Sequence, residues 1–480
     1  MVKRHEINFT QGALLKKMII YALPIVGVNV LQLLFTMADL SVIGIFTGND
    51  TAIAAVGACT PIINLLIGFF TGLSVGANVL IARCVGASNK EKARKLVGTS
   101  VFVSVVFGIF LMIVGVVLAE QILIWTDCSK SVLPYATTYL RIYCLGMPII
   151  MLYNFSAAIL RAVGDTLRPF IFLLIGGILN VCLNIFFIAV VGWDVQGVAI
   201  ATVASNAVSG VSALVLMYKN DGYAKIDRAH FKIFKQEFSE IFTIGLPMAI
   251  SKCLFSFANV IVQAQLNALG ETAMAAHSIT KEIDGFILEA VHGISVATLA
   301  VISQNYGAKK LGRIKKVIFL SMLMELVVCL SLGAILLFAG RLFCTIMTST
   351  EEVLDLCMVR ITTVSIFYIF LGLLNIVQES IRGIGYSFTS LMMNVFANIV
   401  LRLIYIYFVY PSIGIFPFEG NFSAIAHNLR MLYVLYPASW AISTIVAGVA
   451  LVILFRKVKK NLQTQQNEEE QTSDSEKEAC

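Results

Sequence analysis

Asp39 is the side chain in this sequence best placed to do chemistry. It stands in Thr36-Met37-Ala38-Asp39-Leu40-Ser41, about four helical turns after Pro24, in an apolar stretch with no Lys or Arg within helical reach. A carboxylate in low dielectric without a cationic partner can change protonation state near working pH. That makes it a proton carrier or, when ionised, a cation ligand. The competing reading is a helix-end carboxylate at the outer interface. Asn180 and Asn184 lie one turn apart on one helix face, and Thr202 near the start of the next apolar segment can join them. One acid with three neutral oxygen donors is a hard-cation shell for Na+ and equally a hydrogen-bond cage for a protonating Asp. Without Asp39, the Asn pair reads as an interhelical link worth about 0.6 kcal/mol per residue.

The second half holds a different set. His277, Lys281, Glu282, Asp284, Glu289 and His292 share one apolar segment, and Asn375, Gln378 and Glu379 share another. A charge at the centre of a membrane helix costs about 2.5 to 3.5 kcal/mol on insertion scales, so such residues tend to face a cavity or a partner. Lys281 and Asp284, three apart, are expected to neutralise one another. When Leu179-Asn180 is aligned with Ala397-Asn398, Arg402 falls where the first half has Asn184. A fixed positive charge there leaves cation binding to the first half. Catalytic patterns are weak: Gly72-Leu73-Ser74-Val75-Gly76 fits GxSxG but lies inside a long apolar segment, there is no HExxH or Walker A loop, and the five histidines lack ligand spacing.

The elements that must position these residues are membrane helices. Hydrophobic residues make up 58% of the 480, charged ones 13%, and the mean hydropathy is +0.87, which leaves too little polar surface for a soluble globule of this size. Twelve apolar segments of spanning length run from roughly 16–40 to 430–455, six in each half. The halves repeat: a shift of 221 positions lays Ala54-Ala55 on Ala275-Ala276, Gly72-Leu73-Ser74-Val75 on Gly293-Ile294-Ser295-Val296, Gly86-Ala87 on Gly307-Ala308 and Arg161-x-x-Gly164 on Arg382-x-x-Gly385. Six spans per repeat means both halves enter the membrane from the same side, a parallel duplication typical of secondary transporters, with substrate held between repeats.

The expected organisation is a first six-helix lobe at 10–217, a linker at 218–236, a second lobe at 237–455 and an unfolded polar tail at 456–480. Lys and Arg gather before the first span, after the second and eighth, and in the linker, which places both termini in the cytoplasm. The net charge of +7 then reflects topology and not nucleic-acid binding. Pro24 and Pro247 mark matching points of the first span in each lobe and are candidate hinges. Gly72-x-x-x-Gly76 and Gly293-x-x-x-Ala297 offer small faces for close helix approach. The ten cysteines, scattered and without CxxC spacing, read as small hydrophobes with no disulfide framework or metal cluster.

The chain resembles the multidrug and toxic compound extrusion (MATE) family of the MOP flippase superfamily along nearly all of its membrane region. The resemblance rests on the stretch from Pro24 to Asp39, the run from Gly57 to Gly86-Ala87, Leu160-Arg161-Ala162-Val163-Gly164-Asp165-Thr166 with its partner Ile381-Arg382-Gly383-Ile384-Gly385, and Asn180/Asn184. It implies an all-α membrane protein of twelve transmembrane helices in two pseudo-symmetric six-helix lobes forming a V. It also implies efflux of small amphipathic, often cationic compounds against H+ or Na+. The expected setting is the inner membrane, with no cofactor, and a lobe pair with its own central cavity needs no second subunit, so a monomer is expected. Asp39, Asn180, Asn184 and Thr202 fall at that family's first-lobe cation site, a Na+ site if Na+ is the coupling ion, and Gln32 at its cavity, with Pro24 nearby. The NorM type is similar but carries a Glu after the Pro of the seventh span, where this chain has Phe255. That departure points to the DinF-like branch and leaves Lys281, Glu282, Asp284, Asn375, Glu379 and Arg402 as second-lobe polar candidates without an inherited role. Other readings are a lipid-linked saccharide flippase, against which the small number of in-span Lys and Arg argues, an intramembrane enzyme, and a scaffold without transport.

Overall fold

The computed structural model describes residues 6–47, 50–414 and 421–478. The first lobe contains α1 (Leu14–Thr47), α2 (Asp50–Gly86), α3 (Lys90–Trp125), α4 (Leu133–Leu145), α5 (Met147–Ala162), α6 (Leu167–Ile185) and α7 (Val195–Lys219). The second contains α8 (Lys235–Asn267), α9 (Glu271–Gly307), α10 (Leu311–Met347), α11 (Glu351–Val364), α12 (Tyr368–Gly383), α13 (Ser387–Val395), α14 (Leu401–Ile404), α15 (Tyr410–Ile413) and α16 (Phe422–Glu478). Among the described residues, eleven helical stretches are long and apolar enough to cross a bilayer, and α4 with α5, bent by 52°, makes a twelfth. The segment read from sequence as a single span at 133–158 is therefore a broken one. Pro148, near the start of α5, has no N–H to continue the ladder. By contrast, α1 and α8 run on through Pro24 and Pro247.

The last helix also departs from expectation. Residues 456–478 continue α16 and do not fall away as an unfolded tail; residues 479–480 lie outside the described ones. Lys, Gln and Glu are good helix formers, and adding residues to a helix avoids the unfavourable nucleation step that the apolar part has already met.

The seam between lobes has two-fold character written in matched contacts. α2 packs along α8, and α1 along α9. Gly72 and Gly293 each touch the first helix of the other lobe so closely that an added Cβ would lie 2.5 Å from Ala249 Cα or 2.9 Å from Val26 Cα. Nearer the termini, a Cβ on Gly86 would lie 1.9 Å from the Gln304 carbonyl oxygen and one on Gly307 2.1 Å from that of Arg83. Arg83 donates to Gly383 O at 3.1 Å, and Gln304, its counterpart, donates through Nε2 to Ala162 O at 2.8 Å. Reciprocal pairs of this kind are what an axis relating two repeats produces. Across this closed end lies the N-terminal segment: Ile7 N–H donates to Gly164 O, Phe9 N–H to Gln304 Oε1, and Arg313 Nη2 to Phe9 O.

The repeated Arg-x-x-Gly has a local cause. Gly164 and Gly385 have φ of 90° and 111°, a left-handed conformation that glycine adopts without Cβ strain. Their N–H groups donate to Arg161 O and Arg382 O, while the next residues donate to Leu160 O and Ile381 O, closing α5 and α12 with the same C-terminal motif. Each arginine is thereby fixed in the last turn of a helix that ends beside the seam.

Candidate ion site and interlobe cavity

The first-lobe cluster is assembled by α1, α6 and α7. Asn184 donates through Nδ2 to Asp39 Oδ1 at 2.5 Å and to Asn180 Oδ1 at 3.3 Å, and Asn180 donates to Thr202 Oγ1 at 3.3 Å. Thr202 passes its own proton to Val198 O at 2.9 Å. Asn184 is fully buried, Asn180 is buried, and Asp39 is partly buried. The Tyr139 and Tyr143 hydroxyls lie within electrostatic range of Asp39 from α4, so four helices converge on it. Directly after Asn184 the helix widens into a π-turn at Phe186–Val190, a distortion common at functional sites.

The donor set contains a carboxylate, two amides and a hydroxyl, chemistry that suits a proton or a hard cation such as Na+. Asn184 Oδ1 is buried with no hydrogen-bond partner. An orphaned acceptor beside a carboxylate has room in its chemistry for an O–H donor or for a cation, so the residues present fit either ligand.

The second lobe repeats the layout with other chemistry. Arg402 Nη1 donates to Asn259 Oδ1 on α8 and Nη2 to Asn398 Oδ1, each at 3.1 Å. The guanidinium also sits 5.2 Å from the ring of Tyr436 and 5.9 Å from that of Phe255. A π-turn again follows the cluster, at Tyr405–Val409, and a second one, Phe396–Val400, runs through Asn398. The other second-lobe candidates scatter. Asp284 is bound at 2.8 Å by Arg360 Nε from α11, and Arg360 Nη1 contacts His277 Nδ1 at 2.8 Å. The expected pairing of Asp284 with Lys281 is thus not made. Lys281 and Glu282 are exposed on α9, where water or headgroups can solvate them.

Between the lobes lies a cavity of about 660 Å³. Gln32 lines it with Ile25, Val28 and Asn29, one stripe of α1, while Pro24 lies off that stripe and does not face it. Asn375 and Glu379 line it from α12. Its charged lining also includes Arg161, Lys252, Glu289 and Arg382. Glu379 is ion-paired with Arg382, and Lys252 faces Glu289 while donating to Thr71 Oγ1 at 3.2 Å. In-span basic residues are few, but three of them, Arg161, Lys252 and Arg382, converge on this one chamber.

Lys252, Arg360 and Glu325 were all missed by reading the sequence. Glu325 is fully buried on α10, accepts from Ser295 at 3.3 Å, and has no basic partner among the described residues. Each is a charged residue inside an apolar segment, the signal that singled out Asp39. Tyr139 and Tyr143 gave no such signal, since aromatic residues in a span are ordinary.

Comparison with known proteins follows the same outline. The family model MatE matches residues 24–186 and again 247–408. The chain is similar to a probable multidrug resistance protein, YoeA, of Bacillus subtilis (strain 168), 24% identical over 436 residues that cover 88% of this chain and 94% of that one. It is similar to a probable multidrug resistance protein, NorM, of Thermotoga maritima, 27% identical over 380 residues covering 77% and 80% of the two chains. Among solved structures, a multidrug resistance MATE family transporter of the MOP superfamily in an outward-facing conformation superposes with a TM-score of 0.85 at 21% identity, covering 94% of this chain and 98% of the other.

Proposed function

The chain belongs to the MatE family, as a multi-pass membrane transporter and not an enzyme, and on that premise we propose that it exports amphipathic compounds, often cationic, by antiport against protons that bind at Asp39. Multidrug efflux is the activity its relatives' names support; the ion and the residue are this reading's own. It has both termini in the cytoplasm, which makes the end sealed by Arg83 and Gln304 the cytoplasmic one. It works as a monomer, since the cavity is complete within one chain, and needs no cofactor.

The observation that carries the reading is the bond from Asn184 Nδ2 to Asp39 Oδ1 beside the orphaned Asn184 Oδ1. An ionised Asp39 accepts from the amide. A protonated Asp39 becomes a donor, and the amide, turned over, supplies the acceptor that now lacks a partner. One proton therefore reverses the direction of the link between α1 and α6. Gln32, two turns from Asp39 on α1, carries that change to the cavity wall.

Magnitudes bound the exchange. A pH unit is worth about 1.4 kcal/mol and 100 mV about 2.3 kcal/mol per charge. One proton entering for one monovalent cation leaving moves no net charge, so one pH unit supports about tenfold exclusion. A neutral substrate adds the potential, for roughly 3.7 kcal/mol or about 500-fold.

Na+ is the second reading, because Asp39, Asn180, Asn184 Oδ1 and Thr202 form an oxygen-only set. Flux of a fluorescent lipophilic cation in reconstituted vesicles, with pH and Na+ gradients imposed separately, decides between them. Proton coupling predicts flux under the pH gradient alone, lost in Asp39→Asn; flux that follows only the Na+ gradient would transfer the site to Na+.

A further inference from the structure

The interlobe cavity holds more fixed positive charge than its own acids balance. Among its charged lining residues are three basic side chains, Arg161, Lys252 and Arg382, and two carboxylates, Glu289 and Glu379. Glu379 is ion-paired with Arg382, and Glu289 lies within electrostatic range of Lys252. Arg161 makes no ion pair among the described residues, and its Nε is buried with no acceptor. Its surroundings on the first-lobe side are the phenols of Tyr21 and Tyr153, whose hydroxyls donate elsewhere, to Arg161 O and to Pro169 O.

Arg161 is not alone in lacking an acceptor. Arg382 Nε and Gln378 Nε2 are also buried and unpartnered, and both residues are more than nine-tenths buried on the same cavity. Buried N–H donors without partners are rare in folded proteins, because each forfeits the hydrogen bonds it had in water. All three residues line the one chamber, and two of them present guanidinium groups to it. Guanidinium is the side chain best matched to carboxylate and phosphate, since its N–H groups form a planar fork. The Arg-x-x-Gly turns hold Arg161 and Arg382 in the last turns of α5 and α12, one from each lobe, so an anion between them would be gripped across the seam.

We infer that the interlobe cavity takes amphiphiles bearing an anionic group, a carboxylate or a phosphate, and that Arg161 is the residue that selects for it. This rests on the chain being an exporter with this cavity as its substrate site, and it adds to the cationic compounds of that reading a class defined by negative charge. Carboxylate-bearing small molecules and phosphate-bearing lipids share the chemistry that Arg161 reads.

The test measures binding and flux separately, on the full-length protein. The binding arm titrates purified protein with a carboxylate-bearing amphiphilic dye, with the methyl ester of that dye, and with a fluorescent polyprenyl phosphate. The expected result is that an anionic probe binds on the order of tenfold more tightly than the ester, equivalent to about 1.4 kcal/mol. Arg161→Gln should reduce that preference to within about twofold, and Arg161→Lys should retain part of it. Preference for the carboxylate dye identifies a soluble acidic substrate, and preference for the polyprenyl phosphate a lipid one. Equal affinity of native protein for the charged and uncharged dyes and no preference for the phosphate would overturn the inference, as would an equal loss of both in Arg161→Gln. The flux arm uses the same probes with the lipophilic cation as reference. Absence of flux for every probe would count against export itself, and the binding arm would still decide the role of Arg161.

Discussion

In the first lobe an amide, Asn184, bridges a carboxylate on α1 and a second amide on α6; in the second lobe a guanidinium, Arg402, bridges Asn259 on α8 and Asn398. The backbone layout is the same, down to a π-turn beside each cluster. What differs is whether the cluster has two states. Asp39 can gain and lose a proton, and its neighbour Asn184 has a spare acceptor for the protonated form. Arg402 keeps its charge under all ordinary conditions, and its end nitrogens are bound by two amides and flanked by two rings. On the proposed function, the first lobe is the one that responds to an ion, and Arg402 holds the matching place in the second. Two acids of the second lobe reinforce this, Asp284 locked to Arg360 and Glu379 to Arg382, while Glu325 is buried without a cation among the described residues.

Substitutions can break this contrast at graded strength. Asp39→Asn should have the largest effect, lowering gradient-driven export by more than about 100-fold while membrane insertion is unchanged, because the amide cannot take a proton into the bond with Asn184. Quantitative immunodetection in membranes beside a flux assay would check both halves. Arg360→Ala should come next, through stability and not coupling: leaving Asp284 buried without its cation costs about 3 to 5 kcal/mol, read as a lower unfolding temperature in detergent. A variant as stable as the native chain would show that the second lobe is not locked in this way. Asn184→Ala should reduce export by about tenfold, consistent with loss of a charge-assisted hydrogen bond of about 1.5 kcal/mol, and should do so without lowering the unfolding temperature by as much as Arg360→Ala. The smallest effect is expected for Glu325→Gln, which keeps the shape and the Ser295 bond: export within about twofold of native. A loss as deep as that of Asp39→Asn would place a second ion site in the second lobe and erase the contrast.

Much of this was legible in the sequence because membrane helices announce themselves by length and apolarity, and because a repeat survives as a register. The pairing of Arg402 with the position of Asn184 was visible once Asn180 was laid on Asn398, a shift of 218 and not 221. Asp39, Asn180, Asn184 and Thr202 could be grouped because two of them share a helix face, and the structure brings all four together. The partner of Asp284 could not be read in this way. Lys281 is near in sequence but exposed while Asp284 is buried, and Arg360, 76 residues on, reaches Asp284 because α11 packs on α9. The reciprocal bonds of Arg83 and Gln304 are hidden for the same reason, since an Arg and a Gln share no obvious role until both are seen donating to a helix-end carbonyl of the other lobe. The polar tail was misread because its composition was weighed apart from the long helix it extends.

The most direct measurement is proton release on substrate binding, followed with a pH indicator in weakly buffered detergent solution, for the native chain, Asp39→Asn and Arg402→Gln. Coupling through the first lobe predicts release from the native chain, none from Asp39→Asn, and native release from whatever fraction of Arg402→Gln is folded. Undiminished release from Asp39→Asn, or its disappearance in folded Arg402→Gln, would contradict the assignment of the ion to the first lobe.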